Sequence, residues 1–517
     1  MSASNTIWII IAFVLYIIVM IVIGAIYSKR TQNAADYFLG GRGLGGWVGA
    51  MSAQASDMSG WLLMGLPGSI YLLGTGEIWV SLGLFIGTLL NWILVAGRLR
   101  RYTIRANNAV TLPEYFENRF HDKSKALILV SSIVFVIFFL VYTASALSSG
   151  AKLFNVVFGL DYTWALLVGT IVILIYTFLG GFLAVCTTDF IQGMMMIIMI
   201  LAVPIILLFL IEPGSVMSTL TASGVEGGAS AYLNPFMSGS SAISWTTIVS
   251  GLAWGLGYCG MPHILVRFMA IKSEKEMKKS KIIANVWNFL ALGVVSVLAI
   301  LARVYMFPKV GVLADSENIV VMTVKELFTS EFAIPFLAGI LLCAILAAIM
   351  STADSQLLVT ASAVSKDIYA DVIKKGKNVS DKKILWISRV VVVIVAAIAF
   401  LIALNPNSSI MGLVSDAWAG LGAAFGPVVV LSLYWKKTTK TGALCGIIVG
   451  ALTVIIWDYI PFISGKTIGS ATGLYSLIVG FVLGLIAVII GSLAGKPATE
   501  EMIKEFEDVR NNNVAEA

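Results

Sequence analysis

Four aspartates lie inside long apolar stretches of this 517-residue chain: Asp57, Asp189, Asp354 and Asp416. Where such stretches cross a bilayer a charged side chain is costly, so each aspartate needs a partner, a cavity or a function. Ser59 and Gly60 follow Asp57 closely, which favours a helix that unwinds there and turns free backbone carbonyls toward a cation. A hydrogen-bonded kink, with the carboxylate bound to a neighbouring helix, is the structural alternative.

A second group of polar residues follows a helical spacing. Positions i, i+3, i+4 and i+7 on one helical face are taken by Ala348, Ser351, Thr352 and Ser355. Hydroxyls are neutral, hard oxygen ligands, and with backbone carbonyls they suit a monovalent ion, whereas a divalent ion usually requires several carboxylates. The same face is also typical of close helix packing, so the spacing alone leaves both interpretations open.

The elements that must position these residues are membrane-spanning helices. The chain is 59% apolar and 12% charged, with a mean hydropathy of +0.94, far outside the usage of soluble globular proteins. Apolar stretches of about 20 residues recur, each long enough to cross a hydrocarbon core about 30 Å thick. They predict an all-α integral membrane protein with about 13 transmembrane helices, over residues 7–28, 45–74, 78–97, 124–151, 160–179, 182–211, 244–270, 282–306, 332–365, 385–404, 410–435, 441–460 and 471–493.

Two of these stretches carry small and polar residues at the middle of the membrane. They are AQASDMSGWLLMGLPG at 53–68 and GLAWGLGYCGMPH at 251–263, five spans apart. An odd offset gives the two copies opposite orientations, which is typical of an inverted five-helix repeat whose halves each open with a broken helix. We expect one membrane domain over 1–495, with repeats at about 45–211 and 244–435. A charged, partly helical and solvated tail is expected over 496–517.

The cations are distributed unevenly among the loops. With the N-terminus outside, 29 of the 34 Lys and Arg residues fall on the cytoplasmic side, 6 of them in residues 267–281, and residues 213–243 have none. This positive-inside bias predicts a multi-pass protein of the plasma (inner) membrane, with the N-terminus outside and the C-terminus cytoplasmic. It also explains the basic clusters without a nucleic-acid partner.

Five segments carry a family resemblance. They are residues 53–68, GGFLAVCTTD at 180–189, GLGYCGMPHILVRFM at 255–269, STADSQLLV at 351–359 and GLVSDAWAGLGAAFGPV at 412–428. Together they resemble the solute:sodium symporter family, and are most similar to its sodium/proline symporters, over about residues 10–495. The resemblance implies a leucine-transporter-like core, sodium as the co-transported ion and no organic cofactor.

The resemblance also implies the residues of the sites. The implied sodium site lies between the broken second span and the ninth, with carbonyls of Ala55, Met58 and Ala348 and hydroxyls of Ser351 and Thr352. Asp57 is implied in sodium coupling. The family's proline-site positions correspond to Ser59, Gly60, Trp61, Tyr142, Trp254, Tyr258 and Pro262. Functionally sensitive charges correspond to Arg42 and Glu77.

Some members of the family bind a second cation, and the resemblance implies where it would lie. The corresponding positions are Asp189, Ser351, Asp354 and Ser355. At the position of Asp354 the family more often has a small or hydroxyl residue. The acid has three alternative interpretations: it strengthens a cation site, it admits a proton, or it pairs with a cytoplasmic Lys. Three positions near the pocket depart from the proline pattern, which has Gly, Phe and Gln in place of Gln54, Cys259 and Met261.

These features predict a sodium-coupled symporter that imports a small amino acid, L-proline, across the lipid bilayer by alternating access. The alternatives are a sodium- or proton-coupled symporter of another small solute, and a channel, which would show a pore-lining polar stripe rather than an inverted repeat. An enzyme is not expected, because neither His121 nor His263 has a catalytic partner in the sequence. ATP-driven transport is not expected either, because the sequence has no Walker A loop.

Overall fold

The computed structural model describes residues 3–28, 33–375, 379–463 and 465–514. Helices occupy most of this part, and ten of them are long and apolar enough to cross a membrane. The labelled helices of the first half are α1 (Ala3–Ser28), α2 (Gly46–Asp57), α3 (Trp61–Leu73), α4 (Thr75–Arg105), α5 (Leu112–Arg119), α6 (Ala126–Phe158), α7 (Tyr162–Leu179) and α8 (Phe182–Leu210).

The second half continues this pattern with α9 (Trp245–Ala253), the 3-10 helix Trp254–Gly260, α10 (Pro262–Ala270), α11 (Glu274–Val310), α12 (Pro335–Ile373), α13 (Asp381–Ile402), α14 (Ile410–Tyr434), α15 (Lys440–Tyr459), α16 (Ser476–Ala494) and α17 (Glu500–Arg510). Shorter helical pieces lie at Ala34–Leu39, Gly40–Arg42, Ser215–Ala222, Gly228–Tyr232, Ser316–Asn318, Ile319–Glu326, Leu327–Glu331 and Ile468–Thr472. Two antiparallel hairpins pair β1 (Met237–Ser238) with β2 (Ser241–Ala242), and β3 (Pro461–Ile463) with β4 (Lys466–Thr467).

A helix lies at every predicted span, and the all-α membrane architecture is confirmed. Three of the spans hold shorter or interrupted helices, so the count of thirteen crossings stays a prediction. The helical form follows from the solvent, because in lipid each backbone N–H must find its acceptor within the segment. The same solvent leaves large apolar side chains on the outside of the bundle, such as Trp164, Phe209 and Trp386.

Two helices form the centre of the bundle. In the most apolar 18-residue part of α12 and of α14, 83% of the residues are buried, compared with 33% in α1 and in α16. α12 packs against α1, α2, α6 and α8, while α14 packs against α6, α15, α16 and the 3-10 helix. The hydroxyl-bearing face of α12 therefore lies inside protein and not in lipid.

Both predicted helix breaks are present. α2 ends at Asp57, Met58 has non-helical angles (φ −86°, ψ 80°), and α3 resumes at Trp61. The second break follows the tight 3-10 helix, where Met261 is extended (φ −83°, ψ 105°) and Pro262 opens α10. Proline suits the first turn of a helix because its missing N–H has no intrahelical acceptor there.

The two faces of the bundle are marked by the ends of α4. At its start, Thr75 Oγ1 donates to the carbonyl of Tyr232 at 3.1 Å, and at its end Arg105 lies 3.4 Å from Glu505 of α17. We call the face that carries residues 212–243 the loop side and the face that carries α17 the tail side.

The tail is less solvated than its composition suggested. Its helix α17 buries Met502, Phe506 and Val509, which recur at i, i+4 and i+7 and so form one apolar face. Glu505 on the same helix lies 3.1 Å from His121 Nε2. The expectation of a solvated tail is therefore wrong for the apolar face of α17, since an amphipathic helix gains stability by docking that face.

Candidate functional site

A cluster of oxygen atoms lies between the first break and α12. The hydroxyl of Ser351 donates to the carbonyls of Ala55 at 2.7 Å and Ala348 at 3.2 Å. The hydroxyl of Thr352 reaches the same two carbonyls, at 3.4 Å and 3.2 Å. All four residues are fully buried. The structure thus brings together four of the five residues that the resemblance implied for sodium.

The break explains why these carbonyls are available. In a continuous helix the N–H of Ser59 would bond to the carbonyl of Ala55, but here it donates to the carbonyl of Asp57 at 3.1 Å. The N–H of Leu62 likewise donates to Ser59 rather than to Met58. Unwinding therefore releases the carbonyls of Ala55 and Met58 from the helical ladder, and Met58 is itself fully buried.

The donor set fits a small monovalent cation. We call the carbonyls of Ala55, Met58 and Ala348 and the hydroxyls of Ser351 and Thr352 the oxygen cage. All of its atoms are neutral, hard oxygens and none is a carboxylate, which suits sodium better than a divalent or a soft metal ion.

Asp57 joins the two breaks. Its side chain is fully buried, and its Oδ2 accepts a hydrogen bond from the hydroxyl of Tyr258 at 2.7 Å. Its Oδ1 has no hydrogen-bond partner among the described residues. A buried carboxylate oxygen without a donor is unusual, and it leaves an unused acceptor on the residue that lies between Ala55 and Met58 in the chain.

Most of the residues implied for the substrate lie around Asp57. Trp61 Nε1 donates to the carbonyl of Asp57 at 2.9 Å, and the N–H of Trp61 donates to the hydroxyl of Ser59 at 3.3 Å. The hydroxyl of Tyr142 lies near Ser59 and Trp61. Gly60 allows the first break to pack closely against α6, because a Cβ on this residue would lie 2.3 Å from Ser149 Oγ.

An aromatic group closes the site toward the loop side. Trp418 of α14 packs edge-on against Tyr258 with ring centroids 5.0 Å apart, and its Nε1 donates to the carbonyl of Trp254 at 2.8 Å. Tyr475 stacks on Trp254 at 5.3 Å. Sequence reasoning missed Trp418 and Tyr475, although Trp418 lies within one of the motif segments and could have been identified as an aromatic in a glycine-rich helix.

Pro262 lies further toward the tail side than the aromatic group. It lines a cavity of about 20 Å³ together with Phe135, Arg267, Leu358 and Ser362. On the opposite face, an open vestibule of about 360 Å³ is lined by Glu77, Trp254, Asp416 and Tyr475. Trp254 and Pro262, both implied for the substrate, therefore border different spaces.

Two of the four residues implied for a second cation, Asp189 and Ser355, contact an arginine. Arg267 Nη2 lies 3.3 Å from Asp189 Oδ2 and donates to the hydroxyl of Ser355 at 2.5 Å, and both charged side chains are fully buried. Ser355 also lies 3.3 Å from Asp354 Oδ1. The sequence counts Arg267 with the cations of the cytoplasmic side, and the structure buries it near the tail side of the bundle. The second cation site stays a prediction.

Two further charged residues have structural partners. Arg42 donates to the side chains of Thr103 and Asn108 and to the carbonyls of Ala109 and Met269, and so joins the start of α2 to α4 and α10. Asp416 accepts a hydrogen bond from the hydroxyl of Tyr459 at 2.5 Å, which gives this aspartate a partner that the sequence did not reveal.

The three departures from the proline pattern lie in different surroundings. Cys259 is partly exposed on the same helical face as the exposed Leu256, so it points away from the buried Tyr258. Gln54 and Met261 are buried, and the Nε2 of Gln54 has no partner among the described residues. Gln54 is thus the departure with an unused polar group close to the first break.

Comparison with known proteins shows extensive similarity. A family model described as the sodium:solute symporter family matches residues 37–450. The sodium/proline symporter of Escherichia coli (strain K12) is 42% identical over 501 residues, which cover 96% of this chain and 95% of that protein. The osmoregulated proline transporter of Bacillus subtilis (strain 168) is 45% identical over 500 residues, covering 96% and 97%.

Solved structures share the fold. A sodium-coupled sialic acid symporter in a substrate-bound, outward-open state superposes with a TM-score of 0.75 at 20% identity, covering 95% of this chain and 99% of that one. Mhp1, a nucleobase-cation-symport-1 family transporter in a closed conformation, gives a TM-score of 0.53 at 12% identity, covering 92% and 99%. The leucine-transporter-like architecture expected from the sequence is confirmed.

Proposed function

This chain belongs to the sodium:solute symporter family, and we propose that it imports L-proline together with sodium by alternating access. It is a multi-pass plasma membrane protein. The observation that carries the proposal is the oxygen cage at the first break, where the hydroxyls of Ser351 and Thr352 converge on the freed carbonyl of Ala55. Relatives named as sodium/proline symporter and proline transporter support proline as the solute.

In this proposal sodium binds in the oxygen cage and fixes the geometry of the first break. Asp57 is held by Tyr258 of the second break, so an ion beside Asp57 stabilises the contact between the two broken helices. That contact places the aromatic walls of the substrate site. Each ligand then tightens the binding of the other, as coupling between two sites requires.

Proline matches the groups around Asp57. Its secondary ammonium is a donor for the unpartnered Asp57 Oδ1, while the hydroxyls of Tyr142 and Ser59 are donors for its carboxylate. Its apolar ring suits the flat walls of Trp61 and Tyr258.

Uptake into proteoliposomes tests the function. Labelled proline, alanine, glutamate and a sugar are compared with and without an inward sodium gradient, and with a proton gradient alone. We expect proline uptake that requires sodium and that excess unlabelled alanine does not suppress. Uptake of a different solute would refute proline, and uptake driven by protons alone would refute sodium coupling.

We further propose that the loop side faces outward and that the N-terminus is outside, as the uneven distribution of cations suggests. Ser240 lies in the turn of the β1–β2 hairpin and Ser380 precedes α13, and both are exposed. Single cysteines at these positions, without the four native cysteines, should react with an impermeant reagent from opposite sides of the membrane. Reaction of both from outside would contradict the orientation.

A further inference from the structure

Arg267 is bonded to four helices at once. Its Nε donates to the hydroxyl of Ser52 on α2 at 3.1 Å, and its Nη2 lies 3.3 Å from Asp189 on α8 and 2.5 Å from Ser355 on α12. Its Nη1 donates to the carbonyl of His263 on its own helix, α10, at 2.7 Å. The side chain is fully buried, so these contacts replace water as its partners.

Two of these contacts lie directly beneath the oxygen cage. Ser52 precedes Ala55 by three residues on α2, and Ser355 follows Ser351 by four residues on α12. The hydroxyl of Ser355 also donates to the carbonyl of Ser351 at 2.7 Å. The guanidinium therefore joins the two helices that form the cage, one turn toward the tail side.

The chemistry of the side chain matters here. A guanidinium presents five donors in a rigid plane and stays charged, whereas a lysine ammonium presents its donors from a single atom. Here Nε donates to Ser52, Nη2 donates to Asp189 and Ser355, and Nη1 donates to His263, so three separate nitrogens of the fork are used. Ser52 strengthens the arrangement, because its hydroxyl donates to Asp189 Oδ2 at 2.6 Å.

The space beyond Arg267 is nearly closed. The cavity that it lines with Pro262 and Ser362 has a volume of about 20 Å³, room for roughly one water molecule. The vestibule on the loop side is about 360 Å³. The cavity that borders Arg267 on the tail side is therefore much smaller than the vestibule on the loop side.

We propose that Arg267 is a positioning residue for the oxygen cage: it holds α2 and α12 together on the tail side, and sodium leaves inward only after it releases Ser52 and Ser355. This inference rests on the proposed sodium site. It adds that the ion's inward exit is controlled by a residue that does not bind the ion.

The test uses the full-length protein in proteoliposomes with the substitution Arg267→Lys, which keeps the charge and loses the fork. We expect the sodium concentration for half-maximal proline uptake to rise about tenfold, while the maximal rate at saturating sodium changes less than threefold. A cysteine at Ser362, in a background without native cysteines, should also react faster with a reagent from the tail side when sodium is absent. A purely structural role would lower the maximal rate and leave both of these readouts unchanged, which would overturn the proposal.

Arg100→Lys is the matched control. Arg100 is also a buried arginine near the tail side, but it donates to the carbonyls of Ile271 and Lys272 and lies 3.6 Å from Glu274 at the start of α11. Its substitution should leave the sodium dependence unchanged. An equal shift in both variants would overturn a specific role for Arg267.

Ser52→Ala and Ser355→Ala remove single acceptors of Arg267 without changing a charge. Each should raise half-saturating sodium, and each should add little to Arg267→Lys, because all three changes release the same contact. If Arg267→Lys fails to fold, half-saturating sodium in Ser52→Ala and Ser355→Ala tests the role of Arg267 in its place. Ser351→Ala separates the proposed sodium site from the proposed role of Arg267. If Ser351→Ala leaves the sodium dependence unchanged, the sodium site is wrong. If Ser351→Ala shifts the sodium dependence and the variants of Arg267, Ser52 and Ser355 do not, only the role of Arg267 is refuted.

Discussion

The two helix breaks of this transporter differ in the chemical groups that form them. At the first break, between α2 and α3, backbone carbonyls are bonded by hydroxyls from α12, and the carboxylate of Asp57 has an unused oxygen. At the second break, between α9 and α10, glycines pack against α14. A Cβ on Gly257 would lie 2.1 Å from Trp418, and one on Gly260 would lie 2.6 Å from the carbonyl of Leu421.

This difference separates two requirements of coupled transport. A cation needs fixed oxygens, which the first break supplies by unwinding at Met58. A solute with an apolar ring needs aromatic side chains around it. The second break supplies them, because the glycines of this break allow α14 to pack closely against it. The single hydrogen bond from Tyr258 to Asp57 connects the two. Loss of cage oxygens at the first break should therefore act on sodium, and loss of the aromatic wall or the glycine packing at the second should act on proline and on folding. Asp57, which the proposal places beside both ligands, should affect both.

The largest effect is expected from Asp57→Asn. It removes the negative charge beside the cage and weakens the acceptor of Tyr258, and a charged hydrogen bond contributes roughly 1.5–3 kcal/mol. Half-saturating sodium should rise by between roughly tenfold and a hundredfold, since 1.4 kcal/mol is about tenfold. Initial rates of proline uptake over a sodium series measure this shift. An unchanged series would place the ion elsewhere.

Ser351→Ala and Thr352→Ala each remove one cage oxygen and should each raise half-saturating sodium by roughly tenfold or more. The maximal rate at saturating sodium should change less. Thr360→Ala is the control, because Thr360 is a buried hydroxyl on the same helix that donates to the carbonyl of Gln356 and lies outside the cage. If Thr360→Ala shifts sodium dependence as much, the effect belongs to helix α12 in general.

Tyr258→Ala should weaken proline more than sodium. It removes a buried aromatic wall, a loss of about 1.5–3 kcal/mol, and half-saturating proline should rise roughly tenfold. Sodium dependence is measured at low and at saturating proline, because coupling transmits part of the effect. Tyr258→Phe is the matched variant, which keeps the wall and removes the bond to Asp57. It should spare proline binding and shift sodium dependence instead, and the reverse pattern would contradict the comparison.

Gly257→Ala should have the smallest specific effect on either ligand. Its methyl group would overlap Trp418, and overpacking of this kind costs about 1–3 kcal/mol of folding free energy. We expect less folded protein in the membrane and a lower thermal midpoint, with half-saturating sodium within about twofold of the unchanged protein. A selective loss of sodium affinity would show that the second break also forms part of the ion site.

Much of this arrangement followed from local sequence. Ser59, Gly60 and Asp57 within one apolar stretch indicated the first break, and the spacing of Ser351 and Thr352 indicated a shared helical face that carries hydroxyls. Both are local signals, because unwinding and helical periodicity depend on neighbouring residues. The residues of the cage itself came from the family resemblance.

The contacts between distant segments could not be predicted in this way. Arg267 lies near the end of an apolar stretch, close to the cations of residues 272–281, and this pattern does not reveal its partners, three of which come from helices far apart in the chain. Trp418 and Tyr475 meet Trp254 only after α14 and α16 have packed. Docking of α17 likewise depends on the surface formed by the end of α4.

The central claim is that an ion in the oxygen cage creates the affinity for proline. The most direct measurement is the half-saturating proline concentration at several sodium concentrations, for the unchanged protein and for Ser351→Ala. We predict that proline affinity falls as sodium is lowered, and that Ser351→Ala displaces this dependence to higher sodium while reaching the same proline affinity at saturation. A proline affinity that does not vary with sodium, or a Ser351→Ala curve that coincides with the unchanged protein, would contradict the account.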